Sequence, residues 1–194
     1  MKTKADLPLS MFTGRSLSPL VAAYFELDQL KQLYRQGWLR RGVPPERCES
    51  VADHIFGMVM LAWWLIDVQF PELNRDKVIR MVLVHELGEI YTGDLVPGDL
   101  VPAGEKRRLE REGFWQVAGK LPRGAEYLAL WEEYEAGETR EARFVKQVDR
   151  LEMAFQARVY QQQGFQPMEE FFASAEAGIH ESFLRELLTE IRGL

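Results

Sequence analysis

The sequence predicts an all-α fold. Apolar residues recur at three- and four-residue steps through almost every segment, and no convincing run of strict strand-like alternation breaks that rhythm. Glycine and proline fall between the periodic stretches, where helices stop. The first helix is read from Leu20, Tyr24, Leu27, Leu30 and Tyr34, ending near Gln36 before Gly37. After a loop holding Pro44 and Pro45, a second starts near Ser50, a good N-cap with Asp53 in the first turn, and runs through Ile55, Met58, Leu61, Ala62 and Leu65 to Phe70-Pro71. Asn74 caps a third, continuous through Val78, Met81, Val82 and His85 to about Ile90. Gly93, Pro97, Gly98 and Pro102 then mark a turn-rich connection. Further helices are expected over about 104–120, 124–136, 139–163 and 168–192.

Composition narrows the function. A chain of 194 residues with 46% hydrophobic content suits one domain spanning 1–194 with a sizeable core. The net charge of -6, from 24 basic and 30 acidic residues, gives no general attraction for extended nucleic acid or an anionic membrane surface. The longest apolar run, residues 58–66, is far short of the ~20 residues that cross a bilayer. The single cysteine, Cys48, cannot form an internal disulfide, and the first residues lead into no secretory h-region, so a cytoplasmic protein is expected.

The chemistry gathers around Val84-His85-Glu86-Leu87. The chain has three histidines, His54, His85 and His180, and the first two fall in apolar helical segments. On a continuous helix His85 and Glu89 share one face, with Glu86 about 100° round on its flank. Asp94 follows in Thr92-Gly93-Asp94, where glycine lets the backbone turn sharply. Asp149 lies among apolar neighbours in residues 144–151, where a carboxylate wants a cation. Two imidazoles and two carboxylates suit one divalent, water-activating metal. Each group also has a structural reading: His54 as a core histidine, Glu89 and Asp94 as solvated helix ends, Asp149 as a partner of Arg150. His180 has no partner signature. The dense charge of residues 104–112 reads as a solvated helix face with Lys106–Glu110 and Arg108–Glu112 pairs, although a basic side chain from it reaching a substrate phosphate stays open.

Four blocks then carry a resemblance: Glu49-Ser50-Val51-Ala52-Asp53-His54, Leu83-Val84-His85-Glu86 with Glu89 and Gly93-Asp94, Leu130-Trp131-Glu132-Glu133-Tyr134-Glu135, and Phe144-Val145-Lys146-Gln147-Val148-Asp149. In this order, over about residues 38–157, they resemble the HD-domain metal-dependent phosphohydrolases, and within them the 5'-deoxynucleotidase branch. The resemblance implies a helical bundle with a central metal held by His54, His85, Glu86 and Asp149, the ion being cobalt, manganese, magnesium or zinc. It implies Glu89 as catalytic base, Asp94 orienting the sugar or sharing proton transfer, a small nucleoside 5'-monophosphate as substrate, and a homodimer. Trp38 is placed near sugar and base, and phosphate contact passes to Arg41 because Gly37 stands where some relatives have arginine. The 43–48 loop is two residues longer than in close relatives. The chain departs from the family at Glu86, which stands where the family has aspartate and adds a methylene to that ligand. A catalytically impaired nucleotide-binding or regulatory protein, and a phosphodiesterase, are the competing readings.

Overall fold

The computed structural model describes residues 2–96, 99, 101–165 and 168–194, and all but the side chain of Ala103 among them. Pro97 and Gly98, assigned above to the turn-rich connection, lie outside the described residues. The fold is all-α, as expected. Ten α-helices occur among the described residues: α1 Pro19–Leu27, α2 Gln36–Arg40, α3 Val51–Val68, α4 Arg75–Val84, α5 Glu89–Thr92, α6 Ala103–Ala118, α7 Gly124–Ala136, α8 Arg140–Gln162, α9 Glu169–Gly178 and α10 Ser182–Gly193. Short 3-10 helices span Pro8–Phe12 and Asp28–Lys31. Extended pairing among the described residues is confined to two isolated bridges, Thr3 with Leu33 and Tyr34 with Ser50.

The chain divides into two compact units. The first comprises Met1–Arg40, Pro44–Asp53 and Val84–Glu132. Its buried side chains include Leu33, Trp38, Val51, Phe114 and Trp131, the last two with ring centroids 5.8 Å apart. Helices α5 and α6 meet through glycine: a Cβ on Gly88 would lie 2.6 Å from the Glu110 carbonyl oxygen, and one on Gly113 would lie 2.7 Å from that of Gly88. Side chains are absent there because the two backbones need the space.

In the first unit the long helix expected from Leu20 to Gln36 is replaced by α1, a 3-10 turn and α2, with Gly37 inside α2 instead of ending a helix. Ser18 caps α1, its side chain accepting from the Val21 amide at 3.4 Å. The apolar stripe of α1 faces outward, Leu20 being 68% and Tyr24 56% exposed, while Glu26 is buried with the Lys120 ammonium 2.7 Å away and the Tyr91 hydroxyl donating to it. An ion pair between the buried Glu26 and Lys120, just beyond the end of α6, is not registered by sequence periodicity and sets the rotation of α1.

The second unit comprises Arg41–Val43, His54–Leu83 and Glu133–Leu194. Its buried side chains include Met58, Ala62, Ile66, Val78, Met81, Val145, Leu151, Phe172, Leu184 and Leu188. Helix α3 follows its sequence expectation. Asp53 accepts from the Ser50 amide at 2.8 Å and hydroxyl at 2.7 Å, and its own amide donates to Ser50 Oγ at 3.3 Å, which closes a capping box. By length and composition the 18 residues of α3, mean hydropathy 1.5, equal a membrane span. Its wholly buried His54 is instead hydrogen-bonded to Glu152 of α8.

The last expected helix, 168–192, is two. Helices α9 and α10 separate at Ile179, which is extended at φ -97 and ψ 121 and fully buried. The freed amides of His180 and Glu181 both donate to Gln147 Oε1 of α8, at 2.7 and 2.8 Å. A side chain on α8 thus satisfies the donors that the break exposes.

Candidate functional site

The sequence-derived ligands are shared between the units: His54 and Asp149 belong to the second, His85 and Glu86 to the first. In the second unit, the buried His54 comes from the first turns of α3. Its Nδ1 lies 2.6 Å from Glu152 Oε2, and its Nε2 lies 3.2 Å from Asp149 Oδ1. Gly57 makes room for this pair, since a Cβ there would stand 2.6 Å from the other Glu152 oxygen. Glu152 therefore holds Nδ1 and leaves Nε2 as the nitrogen beside Asp149. A carboxylate behind a ligating imidazole is the usual way proteins fix its tautomer and raise its basicity. Asp149 is partly exposed, less buried than its apolar neighbours suggest, and Arg150 turns instead to Ser174, donating to its hydroxyl at 2.9 Å. Glu152 carries no sequence signature of its own, although its place three residues after Asp149 puts both carboxylates on one face of α8.

In the first unit, the continuous helix expected through His85 is broken. Helix α4 ends at Val84, α5 begins at Glu89, and residues 85–88 form a turn in which the Leu87 amide donates to Val84 O at 3.1 Å and the Glu89 amide to Glu86 O at 3.0 Å. These bonds span three residues, so the chain is wound more tightly than an α-helix. The α6 backbone seated on Gly88 accompanies this winding. The His85 carbonyl, freed by the turn, accepts a 3.1 Å bond from Trp131 Nε1. His85 Nε2 and Glu86 Oε1 then lie 3.5 Å apart.

Each spacing is near that of two ligands on one cation. Two ligands each bonded at ~2.1 Å are ~3.0 Å apart at a right angle and ~3.4 Å apart at a tetrahedral one. The longer glutamate still brings its oxygen to its histidine at such a spacing, and the His54–Asp149 pair does the same in the other unit. The donor set, imidazole nitrogen with carboxylate oxygen, is that of a divalent metal.

Glu89 and Asp94 are both buried. Burial, and then the charges of Glu86 and Asp94, hold the Glu89 carboxyl well above the usual carboxylate range, with Arg35 acting in the opposite direction. Glu89 Oε2 has no hydrogen-bond partner among the described residues. Asp94 follows Gly93, whose φ of 76 is the left-handed conformation that glycine supplies. One Asp94 oxygen accepts from the Gln36 amide and the other from Arg35 Nη1 at 3.3 Å. Arg35 Nη1 also lies 3.3 Å from Glu86 Oε1.

Arg35 is thus a site residue that the sequence reading missed. Of the residues proposed there for substrate, Trp38 is buried in α2, with its indole N–H donating to Glu49 Oε1 at 2.7 Å. Arg41 is exposed and forms a bidentate pair with Glu170. His180 is exposed. On α6 the expected Lys106–Glu110 and Arg108–Glu112 pairs form, at 3.4 and 2.5 Å, but Glu110 is buried rather than solvated.

Residues 27–192 match the HD domain family. The chain belongs to the HD-domain family. The human 5'-deoxynucleotidase HDDC2 is 35% identical over 96% of this chain and 91% of its own length. The Dictyostelium discoideum 5'-deoxynucleotidase HDDC2 is 35% identical over 84% and 91% respectively. Among solved structures, the PH0347 protein of Pyrococcus horikoshii OT3 superposes with a TM-score of 0.76 at 28% identity, covering 88% of this chain and 97% of that one. A predicted metal-dependent phosphohydrolase from Magnetospirillum magnetotacticum MS-1 gives a TM-score of 0.64 at 29% identity, covering 89% and 93%. HD-domain membership implies a divalent metal, in agreement with the donor types described above.

Proposed function

We propose that this HD-domain protein is a metal-dependent phosphohydrolase that releases phosphate from deoxynucleoside 5'-monophosphates. The observation that carries the reading is Glu89: a buried carboxyl of raised proton affinity, set with Asp94 beside a His-Glu ligand pair, in a chain whose curated relatives are 5'-deoxynucleotidases.

In this reading His54, His85, Glu86 and Asp149 hold one divalent ion, whether cobalt, manganese, magnesium or zinc. When bound, the ion supplies positive charge for the phosphoryl oxygens and for the attacking water. Glu152 keeps the His54 ring in the tautomer that presents Nε2. Glu89 takes the proton from the attacking water, because a carboxyl with raised proton affinity is a stronger base than an ordinary glutamate. Asp94, held by Arg35 and the Gln36 amide, orients the sugar. Arg41 is already bidentate with Glu170, so we assign the guanidinium of the site to Arg35, and Trp38 acts as the buried indole that holds Glu49. Products are the nucleoside and inorganic phosphate.

The partner is a small nucleotide rather than an extended nucleic acid, in keeping with the net charge of -6. We further propose a homodimer, supported by the exposed aromatic face of α3 at Phe56, Trp63 and Trp64. Sedimentation as a single 22.5 kDa species would exclude it. A cytoplasmic location suits the lone Cys48, whose thiol is pushed by burial up to about 12.

Phosphate release from a panel of deoxy- and ribonucleoside 5'-monophosphates tests the reading, using metal-stripped protein with each of the four ions added back. Metal-dependent release that favours the deoxy series and is lost in Glu89→Ala is expected. No release with any ion would leave a nucleotide-binding relative instead.

A further inference from the structure

The connection that follows Asp94 is pinned to α6 by one side chain. Lys106 Nζ donates to the backbone carbonyl of Leu95 at 3.1 Å, one residue beyond Asp94, and lies 3.4 Å from Glu110 Oε1 one helical turn further along α6. Glu110 is buried, and its backbone is the surface on which Gly88 sits, two residues after Glu86 and next to Glu89. The glycine contact between α5 and α6 therefore brings Lys106 to the flank of the acidic cluster. Burial works against the lysine's charge, yet the carboxylates of Glu110, Glu89 and Glu86 outweigh it and leave its proton affinity above the ordinary lysine value. The cation is thus maintained where it is needed to hold a neutral carbonyl.

We propose that Lys106 is a positioning residue, which fixes the backbone at Leu95 so that the Asp94 carboxylate stays beside Glu89 in the geometry that turnover requires. Asp94 is held on its other side by Arg35 and the Gln36 amide, so the two tethers act on opposite ends of one short segment. Cutting the Lys106 tether leaves the Arg35 contact able to draw Asp94 away from its working position. The Lys106 side chain is 39% exposed, but its loss also takes a cation from the buried Glu110, so the fold of each variant is checked before its effect on the tether is read.

The effect on turnover rests on the phosphohydrolase reading, whereas the effect on the backbone does not, so the two are measured separately. Amide hydrogen exchange over residues 94–96 is compared in the wild-type chain, Lys106→Met and Lys106→Arg, each first shown to be folded by thermal unfolding, with Lys106→Gln replacing the methionine variant if that does not fold. Faster exchange in Lys106→Met, restored in Lys106→Arg, is expected. In the activity assay Lys106→Met lowers kcat by about 10–100-fold, the range typical of residues that orient a working group. In an Asp94→Asn background the same change has little further effect, because Lys106 acts through Asp94. Unchanged exchange in Lys106→Met would overturn the proposal whether or not the wild-type chain turns over nucleotides. Losses that multiply in the double variant would overturn it by showing a separate action on the substrate. An inactive wild-type chain with the expected exchange pattern would refute the phosphohydrolase reading alone, and the tether at Leu95 would stand.

Discussion

Replacing Gly88 by alanine sets two local effects against each other. Gly88 has φ -63 and ψ -28, ordinary helical values, so by backbone propensity alone alanine should stabilise the turn by about 0.5–1 kcal/mol. The added methyl would stand 2.6 Å from the Glu110 carbonyl oxygen, 2.9 Å from Glu110 Cβ and 3.0 Å from Glu110 C. Two of these three atoms are backbone in the middle of α6 and cannot rotate away. Reaching the 3.4 Å at which ordinary contact begins requires α5 and α6 to separate by 0.8 Å. Overpacking of this kind costs about 1–3 kcal/mol, and with backbone atoms on the clashing side the middle of that range, about 2 kcal/mol, exceeds propensity by about 1 kcal/mol. At ~2–4 °C per kcal/mol for a chain of this size, the melting temperature should fall by about 2–4 °C. Activity should suffer more than stability, because a catalytic group works only within ~0.5 Å of its place and Glu89 adjoins Gly88 in the chain. A displacement near 1 Å costs on the order of 100-fold in kcat/KM. Thermal unfolding and steady-state phosphate release on the same preparation decide the matter. An alanine variant as stable as the parent and fully active would refute the close-contact account of the α5–α6 packing and of the turn at 85–88.

Two more outcomes test Glu152 and Glu89, each in its own unit. Glu152→Gln removes the charge behind His54 Nδ1 and should weaken metal binding by about 10–100-fold, read by competitive chelator titration, whereas unchanged affinity would show that Glu152 does not tune His54. The raised Glu89 pKa makes the folded, metal-stripped chain hold that proton more tightly than the unfolded one. Its stabilising effect is complete below the ordinary glutamate value of 4.5 and is lost as pH rises from there through the folded value. Denaturant melts of metal-stripped protein across this window should show the wild type losing stability that Glu89→Gln retains, and parallel curves would mean that Glu89 ionises as an ordinary glutamate.

The candidate groups that stand close together in the chain are legible from residue order because their spacing is local. The capping pair Ser50 and Asp53 lies just ahead of His54, and the triplet His85, Glu86 and Glu89 stays together whether or not the helix is continuous. Arg35 escapes a reading of residue order because it reaches Glu86 across 51 residues of chain and Asp94 across 59, and nothing in residues 33–37 distinguishes a partly buried arginine from a solvated one. For the same reason the i,i+4 spacing makes Lys106 half of a surface pair and gives its partner on α6, but not the Leu95 carbonyl that it also holds.

By itself the sequence determined the all-α class, most helix starts and stops, the family and the kinds of donor offered to a metal, since periodicity, caps and side-chain chemistry are properties of neighbouring residues. The tertiary structure alone decided which side of each helix is covered. It turned the apolar stripe of α1 outward because Glu26 is buried with Lys120, divided the helix expected over 74–90 where α6 meets Gly88, and divided that over 168–192 where Gln147 takes up two freed amides. An amphipathic pattern records that a helix has a face, whereas the partner of that face depends on close contacts between segments far apart in the chain.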